Sequence, residues 1–222
     1  MPVVASEFVE AIAHLPSGGA LRFDDVPWEE YEALLEELGD DGGVRIFYDR
    51  GRMEIMSPST PHEVAKTIIN RLVNALADEL DIDVESCGST TYRLQWKSKG
   101  AEPDDSFFIQ NAAAIIGRHE QYNLEHDPPP DLVVETEHSS ASLDKFPIYA
   151  AFGVPEIWRE RKQVIHFYML RDESYVETSR SKSFPMLDST TMSQFLVLGL
   201  AEGSRKAARA FRSWVREHRD NA

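Results

Sequence analysis

The chain has 222 residues, a formal net charge of −15, 42% hydrophobic residues and a single cysteine, Cys87. That length can bury one sizeable core unaided, a lone cysteine excludes an intramolecular disulfide, and no apolar run approaches the roughly 20 residues of a membrane span. The acidic excess argues against a protein that coats nucleic acid nonspecifically, since that binding needs Lys and Arg to neutralise phosphates.

The charge is uneven. Residues 1–150 hold 11 Lys plus Arg against 29 Asp plus Glu, net −18, and residues 151–222 hold 12 against 9, net +3. A phosphate-facing surface is therefore expected to draw on the last third. Glu7, Glu10 and His14 stand where a signal peptide would be basic and then apolar, which predicts a cytoplasmic protein.

In chain order, Phe8, Ile12 and Leu15 recur at helical spacing over Ser6 to Leu15, and Pro16-Ser17-Gly18-Gly19 ends that helix. A second helix is expected from Pro27 to Leu38, with Asp25 as cap and Glu29 and Glu30 in its first turn. Val44–Tyr48 and Arg52–Met56 read as a hairpin turning at Asp49-Arg50-Gly51, with Glu54 facing away from Met53 and Ile55, toward the site or, as half-buried strands normally alternate, to solvent. The longest helix runs to Leu80. Val64, Ile68, Leu72, Leu76 and Leu80 form its buried stripe, Ile69 and Val73 widen it, and His62 and Glu63 lie in its first turn.

Asp83–Cys87 and Thr91–Trp96 read as strands, Lys97–Gly100 as a loop, and Phe107-Phe108-Ile109 as a strand preceded by Glu102, Asp104 and Asp105. Ala112–Ile116 is a helical turn, and Gly117–Asp127, with His119 and His126, is a loop without zinc-ligand spacing. Prolines 128–130 lead into Leu132-Val133-Val134, an apolar run suited to a strand covered on both faces. That strand ends in Glu135 and Glu137, which alternation places on one side. Two carboxylates at the edge of an apolar core need a cation, and the candidates are a divalent metal and Lys145.

Leu143–Phe152 is a short helix stopped by Gly153; Glu156–Arg159, Val164–Leu170 and Ser174–Glu177 are strands extending the sheet. Met192–Leu200 forms a packed helix. On the last helix, Ser204–His218, Arg205, Arg209, Arg212, Arg216 and Arg219 make a basic stripe opposite Ala208, Phe211, Trp214 and Val215. Such a stripe is either a solvated face on a docked helix or a phosphate-tracking face.

Asp104, Glu135 and Lys145 together allow metal-dependent phosphodiester hydrolysis: carboxylate oxygens hold Mg²⁺, and a nearby Lys stabilises hydroxide or phosphoryl charge. The runs Tyr48 to Pro58 with His62-Glu63, Glu102-Pro103-Asp104, Pro130 to Glu135, and Ser142 to Trp158 resemble the Uma family of putative restriction endonucleases. The resemblance spans about residues 20–180. It implies a PD-(D/E)xK nuclease with an α/β (α+β) restriction-endonuclease-like core, a mixed sheet flanked by helices.

By that resemblance Asp104 and Glu135 ligate Mg²⁺, or Mn²⁺, Lys145 is the superfamily lysine relocated to the following helix, and Glu63 is an auxiliary acid from the first core helix. Glu137 stands where many members carry lysine and is a candidate further ligand; Asp105 is the alternative to Asp104, and His62 matches a family position of unassigned role. The expected organisation is one domain, 1–200, with a C-terminal basic amphipathic helix, 201–222. The expected function is a Mg²⁺-dependent endonuclease acting on DNA, possible as a homodimer. The alternatives are a catalytically inactive interaction protein on the same scaffold, with Lys145 neutralising Glu135 and Glu137, and a metal-dependent hydrolase of a small phosphorylated substrate.

Overall fold

A computed structural model describes residues 5–39, 43–118, 122–137 and 143–219. The chain begins with α1 (Ala5–Ala13), β1 (Ala20–Phe23), α2 (Trp28–Leu38), β2 (Arg45–Asp49), β3 (Arg52–Met56) and α3 (Thr60–Leu80). The short strands β4 (Glu85–Ser86), β5 (Tyr92–Leu94), β6 (Lys99–Ala101) and β7 (Asp105–Phe108) follow, then β8 (Leu132–Glu137) and α4 (Phe146–Phe152). The last third is β9 (Glu156–Arg161), β10 (Val164–Arg171), β11 (Ser174–Thr178), α5 (Ser189–Glu202) and α6 (Ser204–His218).

These strands form a five-stranded sheet ordered β1-β3-β2-β6-β5 and a six-stranded sheet ordered β11-β10-β9-β8-β7-β4. The β8–β9 pair is parallel and its crossover carries α4; the remaining ladders are antiparallel. The expected α+β architecture with a mixed sheet flanked by helices is what is found.

Alternation along β8 sets the layers. Leu132 and Val134 enter a core with Ile68, Leu72 and Leu76 of α3, Leu196 of α5 and Phe211 of α6. Val133 points the other way, to Ile148, Tyr149 and Phe152 of α4 and to Phe47 of the five-stranded sheet. A third cluster, with Phe8, Tyr31 and Leu34, lays α1 and α2 on that sheet's outer face. The β2–β3 hairpin turns through Arg50 and Gly51, at φ 51° and 87°. Two successive positive φ values match the right-handed twist of the flanking strands. The α6 helix is tied to the end of α3: Arg212 reaches Asp78 at 2.6 Å, and Arg216 reaches Glu79 at 2.6 Å.

Four expectations are corrected. Asp25 does not cap α2; it is left-handed at φ 58°, and the helix starts after Pro27 without a side-chain cap. Val64 is off the buried stripe and 45% exposed, while Ile68, Leu72 and Leu76 are buried. Lys99 and Gly100, read as loop, are in strand β6, where Lys99 Nζ reaches the buried Asp49 carboxylate at 2.6 Å. Glu54 does not face solvent: it is buried, accepting from Arg22 at 2.8 Å and from the Leu143 amide at 2.9 Å. Beyond β4, the half-buried Cys87 gives its amide to the Ser106 carbonyl at 2.9 Å. His119 and Ser139–Ser142 lie outside the described residues. No helix among the described residues is long and apolar enough to cross a membrane.

Candidate active site

The end of β8 brings the predicted residues together from both sides of one strand. On the α4 side, Lys145 Nζ donates to Glu135 Oε2 at 2.6 Å, and the Tyr149 hydroxyl donates to Glu135 Oε1. Lys145 stands just before α4 and Tyr149 four residues later, so both project from one face of that turn. The buried ammonium also lies 3.7 Å from the centroid of the Phe47 ring, whose negative face favours a cation.

On the α3 side, Thr136 donates its amide at 2.7 Å and its hydroxyl at 2.9 Å to Asp104 Oδ2. His62 Nε2 lies 3.0 Å from that same oxygen. Asp104 is fully buried, yet its Oδ1 accepts no hydrogen bond among the described residues. Asp105 is turned away, and both of its oxygens are used, by Asn70 at 2.8 Å and by Ser86 at 3.0 Å.

Burial dominates the electrostatics. It pushes the Glu135 carboxyl up to about 7, with the Lys145 charge pulling it back and the Asp104 charge adding to the rise. Burial also pushes Asp104 up, but the His62 hydrogen bond and the Lys145 charge outweigh it and hold that carboxyl below its ordinary value. Desolvation lowers His62 and Lys145, and the surrounding carboxylates more than reverse this in both. The resulting centre is a carboxylate pair facing a buried ammonium.

Glu63 sits at the start of α3, partly exposed, 3.2 Å from Lys66 and 3.7 Å from both Arg45 and His62 Nδ1. Glu137 shares Glu135's side of β8, as alternation requires, and its carboxylate is held by Arg159. A cleft of about 110 Å³ opens over the centre, lined in part by Arg22, Glu54, Ser59, His62, Thr136, Glu137 and Lys145. Among the described residues no three His, Cys, Asp or Glu side chains converge as a ready metal-ligand set.

Two carboxylates still fit Mg²⁺, which retains several waters and is commonly held by one or two carboxylates. Asp104 Oδ1 is an open, buried oxygen. Each Glu135 oxygen, already accepting one bond, keeps a second lone pair. Thr136 and Tyr149 are the parts of the centre that sequence reasoning missed. The spacing of four between Lys145 and Tyr149 is a signal that could have found the tyrosine; Thr136 offers none, because its role depends on the β7–β8 register.

The structure resembles a crystal structure described as a putative nuclease from Anabaena variabilis, with 16% sequence identity, TM-score 0.52, and coverage of 77% of this chain and 99% of that one. This likeness shows a shared fold. No curated protein matches the chain. Residues 28–201 match the Uma2 family, described as putative restriction endonuclease. With that match covering most of its length, the chain belongs to the Uma2 family.

Proposed function

We propose that the protein is a Mg²⁺-dependent endonuclease that hydrolyses DNA phosphodiester bonds. The observation that carries this is Asp104 Oδ1, a buried carboxylate oxygen without a hydrogen-bond donor among the described residues, beside a second buried carboxylate and a lysine. Leaving such an acceptor unpaired costs about 1–3 kcal/mol, a cost that a bound cation removes.

Asp104 and Glu135 would hold the ion, Mg²⁺ or Mn²⁺, which when bound supplies Lewis acidity and a water activated for attack. Thr136 fixes the Asp104 carboxylate so that Oδ2 is occupied and Oδ1 is open. Tyr149 and Lys145 each hold one oxygen of Glu135 and so orient that carboxylate. Lys145 carries the positive charge that steadies hydroxide or the phosphoryl oxygens. Glu63, in the first turn of α3 and 3.7 Å from His62 Nδ1, would act as an auxiliary acid, and Glu137 becomes a ligand only by leaving Arg159.

The competing reading is a non-catalytic interaction protein, favoured by the Lys145–Glu135 and Arg159–Glu137 pairs, which neutralise both strand-end acids internally. Calorimetric titration with Mn²⁺ and Mg²⁺ separates the two. Wild type is expected to bind, and folded Asp104→Ala and Glu135→Ala variants to lose binding, with DNA nicking lost in parallel. Absence of binding by wild type, or equal binding by the variants, removes the nuclease reading and leaves the interaction protein.

A further inference from the structure

The nuclease reading leaves open how a substrate strand is held, and the turn edge of the five-stranded sheet offers a place. Trp96 lies between β5 and β6 and is 72% exposed, a large aromatic surface given to solvent. It is braced: Lys97 Nζ sits 4.7 Å from the indole centroid and donates to the Ala151 carbonyl of α4 at 2.5 Å. The neighbouring hairpin turn is tied to it, with the Arg50 amide donating to the Ser98 carbonyl at 2.8 Å.

Charge gathers at this edge in an otherwise acidic chain. Arg50, Arg52 and Lys99 converge on one buried carboxylate, Asp49, at 3.0, 2.9 and 2.6 Å, so the cluster retains positive charge after pairing. The arginine side chains are 68% and 55% exposed. Asp25, whose backbone borders Gly51, is an exposed acid beside the turn. Asp49 lies two residues beyond Phe47 on the same sheet face, and Phe47 is the ring beneath Lys145. Asp49 is therefore about 7 Å along β2 from the ring that carries Lys145.

We propose that this edge binds an unpaired nucleic-acid strand, one base stacking on Trp96 and the adjoining phosphates meeting Arg50, Arg52 and Lys97. The proposal rests on the nuclease reading for its class of ligand. Stacking on an aromatic needs an accessible base face, and guanidinium groups beside it supply phosphate contacts. Bracing by Lys97 means the indole does not have to be ordered on binding.

The test is fluorescence anisotropy of full-length protein with a labelled single-stranded oligonucleotide and a blunt duplex, without divalent metal, across a salt series. Trp96→Ala is expected to weaken the single strand at least about fivefold and leave the duplex unaffected. Arg50→Gln with Arg52→Gln is expected to weaken both and to flatten the salt slope by about one for each phosphate no longer neutralised. Trp28 and Trp158 are buried and Trp214 is half-buried against Phe211, so most quenching of tryptophan fluorescence by unlabelled oligonucleotide should be lost in Trp96→Phe and retained in Trp214→Phe.

Wild-type affinity and slope in these variants overturn the proposal, as does a wild-type protein that binds neither probe. So does a wild-type dimer, seen by sedimentation, that Trp96→Ala dissolves, for the edge is then an interface between copies. The metal titration reads the carboxylate centre separately: lost metal binding with intact oligonucleotide binding removes the nuclease reading alone, and the converse removes this surface alone.

Discussion

At Lys145 the protein holds a full charge in an almost closed site, and its removal is the sharpest perturbation available. Lys145→Met leaves Glu135 and Asp104 facing each other without the ammonium, a change expected to cost about 3–5 kcal/mol. Its melting temperature should fall markedly without metal and recover in part with Mn²⁺, because an ion that binds only the folded state stabilises it. An unchanged midpoint would show that the pair does not neutralise the site. Thr136→Val keeps the amide bond to Asp104 and removes the hydroxyl; it should weaken Mn²⁺ binding about tenfold, as loss of a group supporting a ligand does.

Proton competition gives a further check. With Glu135 pushed up to about 7, its proton must leave before the carboxylate can ligate, so Mn²⁺ affinity should be flat above that pH and fall about tenfold per unit below it. Titrations at pH 6 and 8 that agree would place Glu135 outside the ligand set. The acidic strand end and Lys145 were legible in the sequence because charge beside an apolar run is conspicuous. Glu54 was not, because alternation alone sends it outward, and only the later approach of the Leu143 backbone closes over it.

The helices show why a single period reads one element well and its neighbours poorly. Stepping by four along α3 correctly marks Leu72, which is fully buried, and equally marks Val64, which stands 45% exposed on an open groove shared with Gly199 and Leu200 of α5. Leu72→Ala should cost about 2–5 kcal/mol and Val64→Ala less than about 0.5 kcal/mol, compared by urea denaturation. Strand β6 escaped notice because Lys-Ser-Lys-Gly is loop-like in composition. Its Gly100 is required by packing: a Cβ there would fall 2.0 Å from the Tyr31 hydroxyl oxygen.

The α3–α6 clamp is pH-sensitive in a defined sense. The hydrogen bond from Arg216 holds the Glu79 carboxyl down to about 2. The unfolded chain therefore binds the extra proton between about 4.5 and 2, and the clamp's contribution, complete above that window, disappears as pH falls through it. Glu79→Gln should lower the melting temperature at pH 7 and make no difference near pH 2; equal effects at both would assign the loss to packing.

For the whole molecule, ion pairing redistributes the charge that each segment carries. In the basic last third, Arg212 and Arg216 are engaged with Asp78 and Glu79, while Arg205 and Arg209 stay exposed. Exposed arginines at 50 and 52, sharing Asp49, add a basic patch within the acidic part of the chain. The last helix is also part of the main core through Ala207, Ala208, Phe211 and Val215. Ending the chain after Glu202 should uncover apolar surface worth several kcal/mol, giving a protein that melts far lower or aggregates.

The lone cysteine supplies a clock for the other end of the molecule. Burial, with Glu85 and Asp105 nearby, pushes the Cys87 thiol up, so it reacts slowly while the β4–β7 edge is closed. Ser86, one residue before it, holds Asp105, the neighbour of Asp104. The rate at which a thiol reagent labels native protein therefore times the opening of the sheet edge nearest the carboxylates, with no introduced probe.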